Sequence, residues 1–228
     1  KISEALKANT ANNQWNKYVN EVIKIILKHE GTVDKFEGDA IIAFFGAPNV
    51  LKNHAERTCS ACIKMQKRLA ELREKWKEND KPQLKMRIGL CTGSAVVGNM
   101  GSENRMDYTM MGDTVNTAAR LEGVNKIYGI YTLISETTFK AAGNSIATRE
   151  IDTINVVGKN EPVTIYQLLG NASDVDDRVK KINEQYAAGL HAYRNRQWDN
   201  AIDFFNAALQ VAPDDGPSNT MLDRSIKY

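Results

Sequence analysis

The stretch M-D-Y-T-M-M-G-D-T-V-N-T-A-A-R-L-E, residues 106–122, is where the chain's chemistry and its fold meet. From Asp113 to Val124 the spacing predicts a helix, with Gly112 as the break before it. On such a helix Asn116 and Arg120 stand at i and i+4, so they share a face and can reach one ligand. An amide donor beside a guanidinium suits a ribose and a phosphate. Taken alone, an N-x-x-x-R pair is more often just a polar helix face.

Upstream, Thr32–Phe36 and Ala40–Phe45 flank Glu37-Gly38-Asp39, which predicts a β-hairpin with Gly38 and Asp39 near its tip. There a backbone and a carboxylate can both approach a ligand, although K-x-x-G-D by itself equally describes a solvated turn. Residues 14–29 place Trp15, Val19, Val22, Ile23, Ile26 and Leu27 at helical spacing, and Gly31 reads as the stop. Trp15 and Tyr18 are expected in a core or an interface. His54–Lys77 predicts a long amphipathic helix. Leu84–Leu90 and Ala95–Asn99 predict strands joined across Cys91-Thr92-Gly93-Ser94. Downstream, Tyr131–Ser135, Ile146–Asn155 and Pro162–Leu168 predict strands, and Glu136–Ala142 a short helix. Helices and strands mix without strict alternation. That favours an α+β fold, a largely antiparallel sheet covered by helices.

The chain has 228 residues, 30 Lys+Arg against 28 Asp+Glu, and a net charge of +2. So even a balance argues against a dedicated nucleic-acid binder. No apolar run approaches the ~20 residues of a membrane helix. Lys1-Ile2-Ser3-Glu4 is followed by no signal-peptide core. Three cysteines, Cys59, Cys62 and Cys91, make no disulfide framework and point to a reducing, cytoplasmic setting. Cys59 and Cys62 lie on one helical face and read as core filler rather than zinc ligands. Met100, Met106, Met110 and Met111 read as core or interface filler.

After a composition shift near Gly170–Asp177, residues 178–228 contain no strand-like run. Gly189, Ala201, Phe205, Ala208 and Pro213 fall at the spacings of one tetratricopeptide-like unit of about 34 residues. One such hairpin cannot bury its own apolar face. It is expected to dock on the domain, to dock on a protein partner, or to open a longer array.

Together these motifs resemble the catalytic domain of class III nucleotidyl cyclases, the adenylyl and guanylyl cyclase family. They are T-V-D-K-F-E-G-D-A at 32–40, F-G-A-P at 45–48, H-A-E-R at 54–57, I-G-L-C-T-G at 88–93, V-V-G-N-M-G-S-E at 96–103 and the stretch at 106–122. The resemblance spans residues 1–170, leaving 178–228 as a helical tail of the kind that follows many bacterial members. It implies a ferredoxin-like domain that converts ATP to 3′,5′-cyclic AMP and pyrophosphate, with two divalent cations, Mg2+ or Mn2+. By this resemblance Asp39 is a metal ligand, Lys35 and Thr109 recognise the base, Asn116 holds the ribose, and Arg120 stabilises the transition state. Guanylyl members usually carry Glu and Cys at the two base positions, so the pair here is adenine-type. A lysine donor also suits adenine N1, an acceptor, better than guanine N1–H. The resemblance further implies a head-to-tail homodimer with two composite sites. One subunit gives the metal aspartates, and the other gives the base pair, Asn and Arg. Family members are usually fused to sensory or membrane domains, so this domain is expected to be cytoplasmic, alone or as part of a membrane-bound protein.

Two departures from the pattern stand out. The first metal aspartate of the family, in an F-x-D-I strand, falls upstream of Lys1. Asp34 and Asp107 read as alternating or loop positions that do not replace it. A molecule beginning at Lys1 is therefore expected to turn over ATP little or not at all. At Val157 many members carry a triphosphate lysine; Lys159 or Arg105 is the candidate replacement. The competing readings are a non-catalytic module that binds nucleotide or a partner, and a guanylyl cyclase, which Lys35 and Thr109 disfavour.

Overall fold

A computed structural model describes the backbone of residues 8–155 and 162–228, with side chains from Asn13 onward. Val157 and Lys159 lie outside the described residues. The described residues fall into two compact units. One holds the residues up to Met86 with Gly93–Val115; the other holds Arg87–Thr92 with Asn116–Tyr228.

In the first unit the amphipathic helix α1 (Ala8–Lys28) packs on α2 (His54–Lys77). Tyr18, Val22 and Ile26 are buried on α1, and Cys59, Cys62, Leu69, Leu72 and Trp76 on α2. The C-x-x-C thiols are thus core residues, as their spacing predicted. An Arg68–Glu21 ion pair at 2.7 Å ties the outer edges of the two helices. The helix stop differs from the sequence reading. Glu30 takes the left-handed conformation (φ 61°), and Gly31 is the first residue of the next strand. Glycine is needed there for space: a Cβ would stand 2.6 Å from the Phe45 ring and 2.8 Å from Ile26.

β1 (Gly31–Glu37) and β2 (Ala40–Phe45) form the expected antiparallel hairpin around Gly38-Asp39. Gly38 has φ 61°, which a two-residue hairpin turn requires and glycine supplies without strain.

The strands that follow correct the sequence reading. Only Ile88–Leu90 forms β3, lying parallel to β6 (Thr132–Ser135) in the second unit. The Met86 carbonyl accepts instead from the Gln66 side chain at 3.0 Å. The strand predicted at Ala95–Asn99 is β4 (Val96–Ser102). It pairs not with β3 but with β5 (Arg105–Met111), a strand absent from the sequence reading. Its turn is the two-residue Glu103-Asn104. Arg105–Met110 alternates polar and apolar residues, yet burial does not follow that alternation: Met106 and Tyr108 are exposed and Thr109 is the buried residue.

The second unit is built on a four-stranded sheet of order β3-β6-β8-β7, with β7 (Ile146–Ile154) and β8 (Val163–Asn171) antiparallel. α3 (Asp113–Val124) and α4 (Glu136–Ala142) match the predicted bounds. The tail has three helices rather than the expected hairpin: α5 (Asp177–Arg194), α6 (Trp198–Val211) and α7 (Gly216–Ser225). A Cβ at Gly189 would meet the Phe205 ring at 2.6 Å, which is how close the first two approach. The tail does not bury its apolar face alone. Leu121, Tyr128, Ile151, Ile165, Tyr186, Phe205 and Met221 form one buried cluster across α3, the sheet and the tail. At about 25 cal/mol per Å2 of apolar surface, each large side chain in it contributes roughly 1.5–3 kcal/mol.

Candidate functional site

Lys35 and Thr109 come together in the first unit, on β1 and β5, and the residue between them is Asp34. The β1–β2 register shifts between Val33 and Lys35, so Asp34 is the extra residue of a β-bulge. A bulge interrupts strict alternation and re-aims the side chains beside it. Asp34 and Lys35, adjacent in sequence, thereby face common ground. The Thr109 hydroxyl donates to Asp34 Oδ2 at 2.7 Å. Lys35 Nζ lies 3.8 Å from the same oxygen. The Asp34 side chain is only 3% exposed, whereas Lys35 is open to solvent. Sequence reasoning weighed Asp34 only as a stand-in metal ligand and set it aside. A bulge leaves no pattern in the sequence, and the only available signal was a carboxylate next to a base-recognition lysine.

Asp39 stands exposed at the hairpin tip. Burial, and after it the charge of Asp39, push the Tyr18 phenol up to about 12. Among the described residues no group of three or more His, Cys, Asp or Glu side chains could hold a metal ion. Asp39 offers one hard oxygen ligand of the kind Mg2+ accepts, which is less than a site. Arg105 opens β5, with its side chain 85% exposed and its Nε 4.0 Å from Asp107.

In the second unit, Asn116 and Arg120 lie one turn apart on α3 as expected. Asn116 is exposed. Arg120 is half-buried, and its Nη1 is fully buried with no hydrogen-bond partner. A buried guanidinium nitrogen without an acceptor costs free energy until an anion meets it. α3 is seated firmly. The buried Asn125 donates to the Ile88 and Leu121 carbonyls, both at 2.9 Å. Gly89 lies so close that a Cβ would stand 2.1 Å from the Ala118 carbonyl oxygen. Arg87 and Glu122 pair at 2.8 Å. The helix that carries Asn116 and Arg120 is therefore fixed against β3 by backbone contact.

No described helix is long and apolar enough to cross a membrane.

Comparison with known proteins identifies the family. Residues 1–170 match the adenylate and guanylate cyclase catalytic domain. Adenylate cyclase 1 of Rhizobium meliloti is 32% identical over 169 residues, 74% of this chain and 25% of that protein. The terminal-differentiation-specific adenylate cyclase of Dictyostelium discoideum is 33% identical over 218 residues, 93% of this chain and 10% of that protein. The chain thus spans a quarter or less of the length of these two relatives. The crystal structure of the adenylyl cyclase CyaB from P. aeruginosa superposes with a TM-score of 0.69 at 36% identity, covering 77% of this chain and 90% of that one. The guanylyl cyclase Cya2 superposes with a TM-score of 0.68 at 32% identity, covering 77% and 88%. With a match over residues 1–170 and a shared fold, the chain belongs to the class III nucleotidyl cyclases, as an adenylate and guanylate cyclase catalytic domain.

Proposed function

We propose that this domain is an adenylyl cyclase, converting ATP to 3′,5′-cyclic AMP and pyrophosphate at the interface of a homodimer. The observation that carries this reading is the convergence of Lys35 and Thr109 on one edge of the first unit. The Lys35 ammonium is a donor for adenine N1, where guanine carries a hydrogen. A site built from hydrogen-bonding groups rejects the wrong base because its own polar groups would be left unpaired.

In the reaction the ribose 3′-oxygen bonds to the α-phosphorus and loses its proton, and the bond from that phosphorus to the β-phosphate bridging oxygen breaks. Asn116 holds the ribose so that the attack is in line. Arg120 meets the charge that grows on the α-phosphate, and its unpaired Nη1 supports this role. Such a donor is worth about 3–4 kcal/mol in other enzymes. Class III cyclases generally use divalent metals. Asp39 would be one carboxylate ligand, and the ions would lower the pKa of the 3′-hydroxyl and neutralise charge on the phosphates. Val96 and Met111, paired across β4 and β5, are both exposed, and this apolar pair supports a second copy as partner. Arg105, exposed on the same hairpin, and Lys159 are the two candidates for the triphosphate tail.

A Mg2+- or Mn2+-dependent ATP turnover assay on the full-length protein tests the reading. The parent should release cyclic AMP and pyrophosphate in equal amounts. Asp39→Ala should turn over at least about a hundredfold more slowly. Undiminished activity in that variant would overturn the site assignment.

A further inference from the structure

We infer that Asp34 is a specificity-determining positioning residue, which fixes the direction of the Thr109 hydroxyl and so sets the preference for adenine over guanine. The inference rests on the adenylyl reading of the site and concerns a residue that the reading itself does not use.

A carboxylate accepts hydrogen bonds and does not donate them, whereas a threonine hydroxyl has one proton and two lone pairs. At 2.7 Å from Asp34 Oδ2, the Thr109 hydroxyl must be the donor. Its single proton is then committed, and only lone pairs remain for a ligand. Without Asp34 that hydroxyl could rotate and donate to either kind of partner.

Burial holds the arrangement in place. Thr109 is 7% exposed, so its rotor has little water to turn to. The Asp34 side chain, nearly sealed by the bulge, depends on its partners, because a buried carboxylate without them is costly. Lys35 Nζ lies at ion-pair range from Asp34 but beyond hydrogen-bond length, so its N–H groups are not consumed by the contact.

The site edge therefore presents a donor, Lys35, beside an obligate acceptor, Thr109. Adenine offers the complement, an N1 acceptor beside a 6-amino donor. Guanine offers the reverse at both positions, an N1–H donor beside an O6 acceptor. With Asp34 in place guanine meets two mismatches. With Asp34 gone, Thr109 can turn its proton to O6 and one mismatch disappears.

The test compares kcat/KM for ATP and for GTP in the full-length protein and in Asp34→Ala, with thermal melts to verify folding. Asp34→Ser, too short to hold Thr109 but still polar, is read the same way and serves where the alanine variant unfolds. The ATP-to-GTP ratio should fall at least about tenfold, through a higher KM for ATP and a gain in GTP turnover. In a Thr109→Val background the same substitution should leave the ratio unmoved, since the hydroxyl it orients is gone. Equal losses with both nucleotides would make Asp34 merely structural and overturn the inference. So would an equal ratio change in the valine background. A parent protein with no preference for ATP would instead overturn the adenylyl reading. A parent that prefers ATP, with the ratio unmoved in the Asp34 variants, would overturn the role of Asp34 alone.

Discussion

Arg149 on β7 grips Asp215 through both terminal nitrogens, at 3.0 and 2.8 Å, and both side chains are almost wholly buried. Asp215 also caps α7 by accepting from the Ser218 amide, so one carboxylate joins the tail to the sheet and starts the last helix. Gln167 takes a further Arg149 bond at 2.6 Å. Breaking a buried pair from one side strands the other charge, at a cost of about 3–5 kcal/mol. Asp215→Ala should lower unfolding stability by that amount, plus about 1 kcal/mol for the lost cap. The midpoint of urea denaturation checks it, and a shift equivalent to less than about 1 kcal/mol would show the pair to be idle.

Gly89 offers a second test, since its substitution reaches the chemistry without touching it. A Cβ there would stand 2.1 Å from the Ala118 carbonyl oxygen and 2.4 Å from the Glu122 nitrogen, both backbone atoms of α3. Gly89→Ala must push the helix that carries Asn116 and Arg120. Overpacking costs about 1–3 kcal/mol of stability. Misplacing a positioning group by about 1 Å can cost a hundredfold in rate. Cyclase turnover should therefore fall far more than the melting temperature of the protein predicts.

Alkaline pH should unfold the first unit through its own core. Burial raises the Cys59 thiol from 9.0 to about 12, and burial with Asp39 raises Tyr18 from 10.0 to about 12. Below about pH 8 both groups are protonated, folded or unfolded, and contribute no pH dependence. Above it the unfolded chain releases its protons first. Stability is then lost progressively up to the folded values near 12. Cys59→Ala should flatten the early part of that decline, read as urea midpoints across pH 8–11. A slope identical to the parent's would contradict the assignment.

The proposed composite site predicts complementation. Lys35→Ala and Asp39→Ala should each be inactive alone. Mixed in equal amounts they should regain about a quarter of parental activity, since half the dimers are mixed and each has one intact site of two. Continued silence of the mixture, with dimers verified by sedimentation, would place both residues in one subunit's site.

Much of this was legible in the sequence where local chemistry decides. α4 begins at the Ser135 cap, which accepts from the Thr138 amide, and ends at Gly143 with φ 69°; both residues announce themselves. The hairpin turn at Gly38-Asp39 and the i, i+4 pair on α3 were legible for the same reason. Long-range pairing was not. β4 could pair with either neighbour, and on β5 the buried residue is the polar Thr109 rather than one of its alternating apolar residues. α7 was hidden because a single repeat of about 34 residues accounts for two helices only. Asp215 as cap and Pro217 in the first turn start a new helix. Within the site, Lys35 and Thr109 were named from the family pattern. Asp34 was not, because its position depends on a bulge and on a strand 75 residues away.

The base-reading role of Lys35 and Thr109 is the central claim, and an exchange tests it most directly. The measurement is the ratio of kcat/KM for ATP to that for GTP, in the parent and in the double variant Lys35→Glu/Thr109→Cys. The account predicts a parent that favours ATP by at least about tenfold and a double variant that favours GTP. A double variant that keeps the parental preference while still active would contradict it.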